Sequence, residues 1–510
     1  MTELKPSTIR LNPNDNVVVA QSEIPAGTLL SDDAITTTGP VPRGHKIATA
    51  AIAKGEPARK YDQIIGFASQ AIAPGDHVHS HNLEFKAFER DYAFSSDCRE
   101  IDCVPEAQRR TFEGFVRTNG NVGTRNYIGV LTSVNCSATV ARQIGDTVNR
   151  SGVLDDYPEI DGVSVFSHST GCGMANTGDG YGNLQRTMAG FARHPNFAGV
   201  LMVGLGCEVA QIPALIAGQD LPDDESFHAM TIQDTGGTRR TVEEGVARIT
   251  AMLEGAKGIQ RQSVPASELT VALQCGGSDA YSGITANPAM GAAVDLLVAQ
   301  GGTGILAETP EIYGAEHLLT RRAINQEIGE KLIERIRWWE DYTARNNGSM
   351  DNNPSPGNKA GGLTTILEKS LGAAAKGGTT NLNGVYRYAE RVDAKGFVFM
   401  DSPGYDPASI TGEVASGANL VTFTTGRGSV YGCKPAPSIK LATNSEMFQR
   451  MSEDMDINCG VIADGEVSVP EMGQVIFDKM LDVASGERSK SEQLGFGDNE
   501  FIPWQIGAVM

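Results

Sequence analysis

Four of the eight cysteines directly follow short apolar runs that are typical of β-strands. They are Cys136 in SVNCSA, Cys172 in HSTGCGM, Cys207 in GLGCEV and Cys275 in LQCGGSDA. Ligands of parallel α/β sheets bind outside the carboxyl ends of the strands, so side chains at these positions can converge on one site. Thiolate and imidazole groups suit iron or zinc, and His168 stands four residues before Cys172. We therefore predict a metal centre that uses these four cysteines as ligands.

The alternative for each cysteine is a place in the core. Unpaired cysteine is among the most buried residue types and often packs as a small apolar side chain. None of the four has the CxxC spacing that marks a zinc site. The metal prediction depends on the four cysteines together, because each ends a strand beside glycine or polar residues. The choice of ligands among them stays open.

Acidic residues end other predicted strands. Glu308 and Glu311 lie in AETPE, Asp279 lies in CGGSDAYSGITANP and Asp401 lies in FMDSPG. Carboxylates at strand ends suit proton transfer or ligation of a hard metal ion. For the two aspartates, a helix N-cap explains the pattern equally well. Glu308 directly follows an apolar run, which capping does not require, so we predict a catalytic role for it.

Two loops supply positive charge. Lys359 follows Asn358 in NPSPGNKAGG, and Arg427 lies between two glycines in FTTGRG. The net charge of the chain is −20, so an anionic substrate needs a local positive site of this kind. The planar guanidinium of Arg427 can hold a carboxylate through two hydrogen bonds. Each cation taken alone is also consistent with an ordinary solvated side chain.

Four of the eight histidines fall in two short stretches near the start of the chain. His45 lies in GHK, and His77, His79 and His81 alternate in HVHSHN. In a β-strand, alternating side chains face one side of the sheet. Such a face can bind a metal or a polyol. We predict that His45 and His79 contact the substrate or belong to a lid.

Composition excludes several classes of protein. An acidic balance argues against binding of nucleic acid, and no run reaches the roughly 18 apolar residues of a membrane span. The polar first residues predict no secretory signal, and therefore a cytoplasmic protein with reduced thiols, since eight cysteines are too few for a disulfide scaffold. The chain lacks the GxGxxG, Walker and GxSxG motifs, so we expect no NAD, no ATP and no serine hydrolase.

The elements that position these residues fall into an N-terminal β part and a longer α/β part. Three echoing phrases, SEIPAG, AIAKGE and AIAPGD, predict repeated turns of a small β domain. From about residue 111, apolar runs alternate with segments of helical spacing, which is typical of parallel α/β architecture. The predicted domains are a β domain at 1–84, a linker at 85–110, a central α/β domain at 111–262 and a C-terminal α/β domain at 263–510.

The predicted strands and helices of the α/β part follow from these two periodicities. The strands are 127–134, 162–167, 199–204, 269–273, 304–306, 396–400 and 420–424. The helices are 138–148, 242–254, 291–300, 316–345 and 446–451.

The sequence resembles the altronate dehydratase and galactarate dehydratase family over nearly its whole length. The matching text comprises GHKIA, HVHSHN, NGNVGTRN, HSTGCG, GLGCE, QCGGSDAYSGITANP, NPSPGNKAGG and FTTGRG. This resemblance implies an N-terminal SAF-type β-clip domain, a central α/β domain and a Rossmann-like, parallel-sheet C-terminal domain without a dinucleotide. It also implies a homodimeric hydro-lyase that converts six-carbon sugar acids to 2-keto-3-deoxy acids with Fe²⁺ or another divalent ion such as Mn²⁺.

The resemblance leaves the substrate open. HVHSHN, AETPEIYGAEHLL and YAERV are closer to the altronate branch, whereas HSTGCG is closer to galactarate dehydratase. Cys433 in YGCKPAPSIK and Cys459 in DINCG match neither branch. We expect altronate first and galactarate second. The alternatives are a sulfolactate sulfo-lyase of the same family, which expels sulfite, and a non-catalytic protein that binds a sugar acid or a metal.

The chemistry of a 2,3-dihydroxy acid assigns roles to the predicted residues. The C2 proton is only weakly acidic, so the enzyme must hold the carboxylate on a cation and stabilise an enediolate, here with a metal. We assign Arg427 to the carboxylate and either Lys359 or His168 to the base. The other predicted site residues lie at strand ends or in loops; they are Glu308 for catalysis and Asn358, Asp279, His45 and His79 for substrate contacts.

Overall fold

The computed structural model describes residues 8–221 and 226–509, which begin with an antiparallel β domain. Its strands are β1 (Thr8–Ile9), β2 (Val17–Ala20), β3 (Leu29–Leu30), β4 (Ile35–Thr36), β5 (Lys46–Ala48), β6 (Pro57–Lys60), β7 (Gln63–Ala68), β8 (His77–Val78) and β9 (Leu83–Glu84). They form the sheet β1-β2-β5-β8, the sheet β6-β7-β9 and the hairpin β3-β4. The prediction of a small N-terminal β domain is confirmed.

The echoing phrases of this domain form equivalent turns. Ile52 and Ile72 are buried and pair in an antiparallel bridge, and the glycines three residues later, Gly55 and Gly75, have positive φ angles. At Gly75 a Cβ atom would lie 2.0 Å from the carbonyl oxygen of Thr36. Only glycine fits such a close approach at a positive φ. The spacing between the isoleucine and the glycine is therefore set by the turn.

Residues 85–110 run along the C-terminal part of the chain. Apart from the short 3-10 helix Glu106–Gln108, this described segment has no regular element. Its backbone is held by tertiary hydrogen bonds, such as the one from Ser95 N to Thr320 O at 3.1 Å. The segment is therefore an extended crossing between the β domain and the α/β part.

A four-stranded parallel sheet forms the central region. The strands of this sheet are β12 (Tyr127–Thr132), β13 (Gly162–Phe166), β14 (Phe197–Gly204) and β15 (Phe227–Thr231). The sheet is preceded in the sequence by β10 (Thr111–Val116) and β11 (Val122–Gly123) and followed by β16 (Gln262–Pro265). Its helices are α1 (Ala138–Arg150), α2 (Gly178–Ala192), α3 (Ile212–Gln219), α4 (Ile232–Thr235) and α5 (Thr238–Ala256). The strand order is β13-β12-β14-β15, and β16 pairs with β10 in an antiparallel manner. The central region thus begins and ends on neighbouring strands.

A seven-stranded parallel sheet forms the C-terminal region. Its strands are β17 (Thr270–Cys275), β18 (Thr303–Leu306), β19 (Leu382–Tyr386), β20 (Gly396–Met400), β21 (Leu420–Thr425), β22 (Ser438–Ala442) and β23 (Ile457–Asn458). Its helices are α6 (Ala286–Ala299), α7 (His317–Thr320), α8 (Gln326–Arg345), α9 (Pro356–Ala360), α10 (Ile366–Ala374), α11 (Asp406–Ala415), α12 (Ser445–Arg450), α13 (Val469–Ala484) and α14 (Lys490–Gln493). The order β19-β20-β18-β17-β21-β22-β23 confirms the Rossmann-like parallel sheet.

The direction in which strands are added to this sheet reverses between β17 and β21. Strands β18, β20 and β19 lie on one side of β17, and β21 to β23 lie on the other. A reversal of this kind opens a crevice at the carboxyl ends of the two strands, where ligands of such sheets bind. The fold therefore singles out the loops after β17 and β21.

Apolar side chains cover both faces of the C-terminal sheet. One face packs against α6, α8 and α13, and the other packs against α11 and α2, with Phe166 and Phe191 from the central region. Helices α2 and α11 approach closely, since a Cβ atom at Gly190 would lie 2.1 Å from Ala415 O. The central and C-terminal regions therefore share one continuous core.

All seven predicted strands are present, with ends within two residues of those predicted. The predicted helix 316–345 is divided into α7 and α8, because the side chain of Asn325 accepts a hydrogen bond from Ile328 N and starts a new helix. Helices α2 and α10 escaped prediction. The first begins with three glycines in five residues, and the second is buried on all sides and so lacks an amphipathic period. No described helix is both long and apolar enough to cross a bilayer.

Candidate functional site

The crevice at the switch point is lined by glycine. The loop after β17 carries Gly276 and Gly277, and the loop after β21 carries Gly426 and Arg427. Gly426 N and Arg427 N both donate to Gly277 O, at 3.1 and 2.9 Å, so the two loops are fixed to each other. A Cβ atom at Gly426 would lie 2.2 Å from the carboxyl carbon of Asp279. The glycines are needed because the loops pack together without room for side chains.

Asp279 ties these loops to the next strand. Its Oδ1 accepts hydrogen bonds from Ser282 N, Ser282 Oγ and Thr443 Oγ1, and its Oδ2 accepts one from Asn444 Nδ2. Burial raises the pKa of Asp279, and these donors oppose the shift. The carboxylate is fully used within the protein, which supports the structural alternative over the predicted substrate contact.

A third loop, which includes the short helix α9, borders the crevice. Asn358 completes a capping box with Ser355, and its Nδ2 donates to Ser278 O at 2.8 Å, beside Asp279. The amide predicted to contact the substrate instead fixes α9 against the β17 loop. Lys359 is half-buried beside it. The capping box thus decides where the lysine lies.

The β domain covers this loop with its histidines. His79 Nε2 lies 2.9 Å from Lys359 O, and His45 Nε2 lies 3.4 Å from Ala360 O. His45 Nδ1 is 3.0 Å from His77 Nε2, and the His45 and His79 rings stack at 4.8 Å. Burial lowers the pKa of both His45 and His77 to about 4, so these imidazoles are neutral near pH 7. The predicted residues His45, His79 and Lys359 are brought together.

Two cations at the crevice lack an internal partner. The ammonium of Lys359 and the guanidinium of Arg427 make no hydrogen bond and no ion pair with any residue that the structure describes. Arg427 is exposed at the end of β21. Lys359 acts on the carboxylate of Asp351 only from beyond ion-pair distance, so both cations can bind an anion. The arrangement can therefore hold a carboxylate next to neutral imidazoles.

A buried ion cluster fixes the β domain to the C-terminal region. Glu368 accepts from Lys46 Nζ at 2.8 Å and from Lys60 Nζ at 3.0 Å, and all three side chains are at most 1% exposed. Burial alone would raise the pKa of Glu368, but the two ammonium groups outweigh it and hold the pKa at about 2. Lys46 Nζ also donates to Gly362 O at 2.6 Å. This buried ion cluster therefore holds the histidines of the β domain above the crevice.

A second buried cluster surrounds Cys275, the last residue of β17. Cys275 Sγ and carboxylate oxygens of Glu308 and Glu311 all lie within 4.8 Å of one another. Lys376 Nζ lies 3.0 Å from that sulfur and 3.3 Å from Glu308 Oε2, and Lys369 Nζ lies 2.7 Å from Glu311 Oε1. Two ammonium groups therefore stand opposite two carboxylates.

Burial governs ionisation in this second cluster. It raises the pKa of Glu308 well above its usual range and that of the Cys275 thiol to about 12. Burial acts on Glu311 in the same direction, but the ammonium groups of Lys369 and Lys376 outweigh it, so the pKa of Glu311 is lowered. Glu308 has a positive φ of 71°, and its Oε1 has no hydrogen-bond partner within the described ranges. The cluster can hold a proton on Glu308, which is fully buried rather than open to a substrate.

The four cysteines predicted as one metal centre lie on two different sheets. Cys136, Cys172 and Cys207 are exposed at the central sheet, whereas Cys275 is buried in the C-terminal region. The structure therefore does not bring the four cysteines together. The prediction joined them because sequence periodicity identifies a strand end but not the sheet to which the strand belongs. Cys433 and Cys459 are both buried and both belong to core clusters.

His168, predicted as a possible base, belongs to the central region. It is buried, its Nε2 lies 2.9 Å from Thr132 O, and Thr170 N donates to its Nδ1 at 3.3 Å. Burial lowers its pKa to about 4. Both ring nitrogens are used within the central region, so His168 orients loops there and takes no part in the crevice of the C-terminal sheet.

Sequence reasoning missed several charged residues around the site. They are the buried lysines and their partners, namely Lys46, Lys60, Glu368, Lys369 and Lys376. A usable signal was present in ILEKSLGAAAKGG, where charged residues interrupt an otherwise apolar segment. Buried lysine is rare without a partner, so that text predicts carboxylates nearby. It does not indicate which ones.

Lowering the pH is expected to loosen the contact between the β domain and the α9 loop. Since the pKa values of His45 and His77 are depressed from 6.5 to about 4, the unfolded chain binds more protons in this range. The stability that these groups contribute is present above about pH 6.5 and is lost as the pH falls toward 4. Amide hydrogen exchange of β5 and β8 at pH 7 and pH 5 measures this. Equal protection at both pH values, or an unchanged pH response in a His45→Asn, His77→Asn variant, would contradict it.

Three family models match successive parts of the chain. The model described as "Altronate/galactarate dehydratase SAF domain" matches residues 6–86. That described as "D-galactarate dehydratase/Altronate hydrolase, second domain" matches residues 114–257, and "D-galactarate/Altronate dehydratase, C-terminal" matches residues 266–509. Together they cover the β domain, the central region and the C-terminal region.

Relatives of known name align with most of the chain. The altronate dehydratase of Bacillus subtilis (strain 168) is 35% identical over 493 residues, which are 96% of this chain and 97% of that protein. The galactarate dehydratase (L-threo-forming) of Escherichia coli (strain K12) is 37% identical, over 96% of this chain and 94% of that protein. The (2R)-sulfolactate sulfo-lyase subunit beta of Chromohalobacter salexigens is 31% identical, over 78% of this chain and 98% of that protein.

Proposed function

We propose that this chain, which belongs to the altronate and galactarate dehydratase family and is therefore a hydro-lyase, acts on altronate first and on galactarate second. The product in either case is a 2-keto-3-deoxy acid. The observation that best supports a sugar-acid site is the crevice, where the neutral histidines of the β domain contact the Lys359 loop and the exposed Arg427 lies in the β21 loop beside Gly277. Altronate offers one carboxylate and galactarate offers two for the crevice cations, and both offer several hydroxyls for the imidazoles.

In this proposal the crevice residues bind the substrate and move its protons, and His45 has a second role as a metal ligand. Arg427 binds the substrate carboxylate through its two-pronged guanidinium, which also draws charge away from C2. Lys359 Nζ is the base that takes the C2 proton. The C3–O bond breaks while His45 and His79 bind the hydroxyls, and the departing hydroxide takes from Lys359 Nζ the proton that this amine removed from C2, so it leaves as water and the lysine is ready for the next cycle. The resulting enol tautomerises to the keto acid, so the sum is substrate to product plus water.

The family resemblance implies a divalent metal, and two donor sets of this chain can be compared for it. The buried group of Cys275, Glu308 and Glu311 does not fit, because two ammonium groups already balance its carboxylates and its thiol resists ionisation. His45 and His77 fit better, since imidazole suits iron and their facing nitrogens are 3.0 Å apart. We propose Fe²⁺ there, with Mn²⁺ as the substitute. When bound, the ion supplies a Lewis acid for substrate oxygens.

Two replacements of Lys359 test whether this residue acts as a base or only as a positive charge. Both Lys359→Ala and Lys359→Arg are expected to lower kcat by about 10²- to 10⁴-fold, since arginine keeps the charge but does not accept a proton at neutral pH. Steady-state rates of keto-acid formation measure this. Lys54→Ala, at an exposed turn of the β domain, is the control and should retain full activity. A Lys359→Arg enzyme with ordinary kcat would refute the base assignment.

A substrate panel tests the proposed function as a whole. The anaerobically purified chain, supplied with Fe²⁺, is incubated with altronate, galactarate and sulfolactate, and both keto acid and sulfite are measured. We expect keto acid from altronate at the highest kcat/KM and no sulfite. Sulfite from sulfolactate without turnover of either hexose-derived acid would replace the proposal with a sulfo-lyase.

A further inference from the structure

Three exposed thiols lie at one edge of the central sheet. Cys172 follows β13, Cys136 follows β12 and Cys207 follows β14, and these three strands are neighbours in the order β13-β12-β14. All three strands are parallel, so their carboxyl ends, and the loops that carry the thiols, meet at the same edge. The other exposed cysteines of the described chain, Cys98 and Cys103, lie in the 85–110 crossing.

The loops of Cys136 and Cys172 are joined directly by their backbones. Asn135 N, one residue before the first thiol, donates to Thr170 O at 3.0 Å. Gly171, one residue before the second thiol, has a φ of 102°, and a Cβ atom there would lie 2.3 Å from Ser133 O. Only glycine permits the two loops to come this close. The two thiols are thus carried on adjoining pieces of backbone.

The loop of Cys207 is joined to the same assembly. Ala210 N donates to Gly171 O at 3.0 Å, next to the second thiol. The buried carboxylate of Glu208 accepts from Gly206 N in its own loop and from Ser133 Oγ in the first loop, both at 2.6 Å. Each of the three cysteines is therefore within a few residues of a hydrogen bond that crosses between loops, and the thiol loops form one preorganised unit.

The spacing of the strands that carry the thiols fits a cluster better than a single ion. Neighbouring strands are about 5 Å apart, so the outer two thiol loops start about 10 Å apart. Among the described residues, none of these cysteines belongs to a group of three donors within 4.8 Å, which is the closeness of three protein ligands around a single ion. Several iron and sulfide ions together are wider than one ion and are held by cysteine thiolates.

Nearby groups favour the negative charge of a thiolate-bound cluster. Gln233 Nε2 lies 3.4 Å from Cys207 Sγ, and hydrogen bonds to sulfur of this kind tune clusters. Helix α1 begins two residues after Cys136, so its positive end faces this edge. A cavity of about 470 Å³ lies beside the first two thiol loops and is lined by Asn135, Ser169 and Arg142 among others, although the cysteines themselves do not line it.

We infer that Cys136, Cys172 and Cys207 hold an iron–sulfur cluster of the four-iron type. Each thiol loses its proton and forms one S–Fe bond, so one iron is left without a protein thiolate. This centre is separate from the crevice and from the Cys275 group, and it divides the predicted cysteine ligands into three that bind iron and one that does not.

The test uses the full-length folded chain after anaerobic reconstitution with equal amounts of Fe²⁺ and Fe³⁺ and with sulfide, so that the iron already has the mixed oxidation state of a four-iron cluster. We expect about four acid-labile sulfides per chain and a broad visible absorption that disappears in air. Cys136→Ser, Cys172→Ser and Cys207→Ser should each lose most of the sulfide, whereas Cys98→Ser and Cys103→Ser should keep it. Since the replaced thiols are exposed, unchanged circular dichroism will confirm that the variants are folded.

Two outcomes would overturn the inference. One is a wild-type chain that takes up iron but retains no acid-labile sulfide. The other is a folded triple variant, with serine at all three positions, that keeps the absorption and the sulfide. Neither readout involves turnover, so the result is independent of the sugar-acid proposal and of the histidine site.

Discussion

Arg427→Ala is expected to lower kcat/KM for the sugar acid by about 100-fold or more. The guanidinium has no internal partner in the described structure, so its removal costs the protein nothing and is felt only by the bound carboxylate. Loss of a charge-assisted, two-pronged contact costs about 3 kcal/mol, and each 1.4 kcal/mol is a factor of ten. Steady-state kinetics with altronate and galactarate measure the loss.

Two further variants sharpen this expectation. Arg427→Lys keeps the charge but loses the planar fork, so we expect an intermediate loss of about tenfold. Arg239→Ala removes an exposed arginine at the start of α5 and should leave the kinetics unchanged. Ordinary kcat/KM for Arg427→Ala would exclude this side chain as the carboxylate ligand, whatever the substrate.

Glu368→Gln is expected to lower the free energy of unfolding by about 3–5 kcal/mol. The change leaves the ammonium groups of Lys46 and Lys60 buried without a counter-charge, which is the costly way to break a buried ion cluster. Chemical denaturation monitored at the β domain, together with limited proteolysis of the 85–110 crossing, measures the effect. We expect the β domain to detach before the α/β core unfolds.

The control for this variant is Glu327→Gln, which breaks an exposed helical pair with Lys331. That pair is exposed to solvent, so its loss should leave the free energy of unfolding almost unchanged. The pH response gives a second check. The pKa of Glu368 is depressed from 4.5 to about 2, so its contribution is present above about pH 4.5 and lost as the pH falls toward 2. A Glu368→Gln protein as stable as wild type would mean that the ion cluster of Glu368 with Lys46 and Lys60 contributes little to the free energy of unfolding.

The parts of the fold that follow from local pattern were predictable. Strands such as β12 and β20 are apolar throughout and buried on both faces, which is how parallel strands read in a sequence. Strand β15 was missed because FHAMT is short and mixed in polarity, and β22 because its SIKLA contains a lysine. Pattern reasoning fails where an element depends on its neighbours in space rather than on its own composition.

Some residues of the candidate site were likewise predictable from local pattern, and others were not. Arg427 and Lys359 were found because glycine and a strand end mark a loop that approaches a ligand. The Cys275 group could not be predicted from the sequence, because Lys376 is 101 positions away from Cys275 and no local pattern indicates that the two are partners. The assignment of Cys275 to a different centre from the other three thiols likewise required knowledge of which strands share a sheet.

The pairing of β16 with β10 brings the two ends of the central region together. Gly114 and Gln262 are direct partners across these strands, so the polypeptide leaves the region almost where it entered. Loss or gain of a unit whose ends meet needs only a short bridge, because closing so small a gap costs little chain entropy. Helix α2 of this region shares a core with α11, so a replacement unit must also supply the apolar surface that covers the C-terminal sheet. The thiol loops lie inside this unit and the crevice lies outside it.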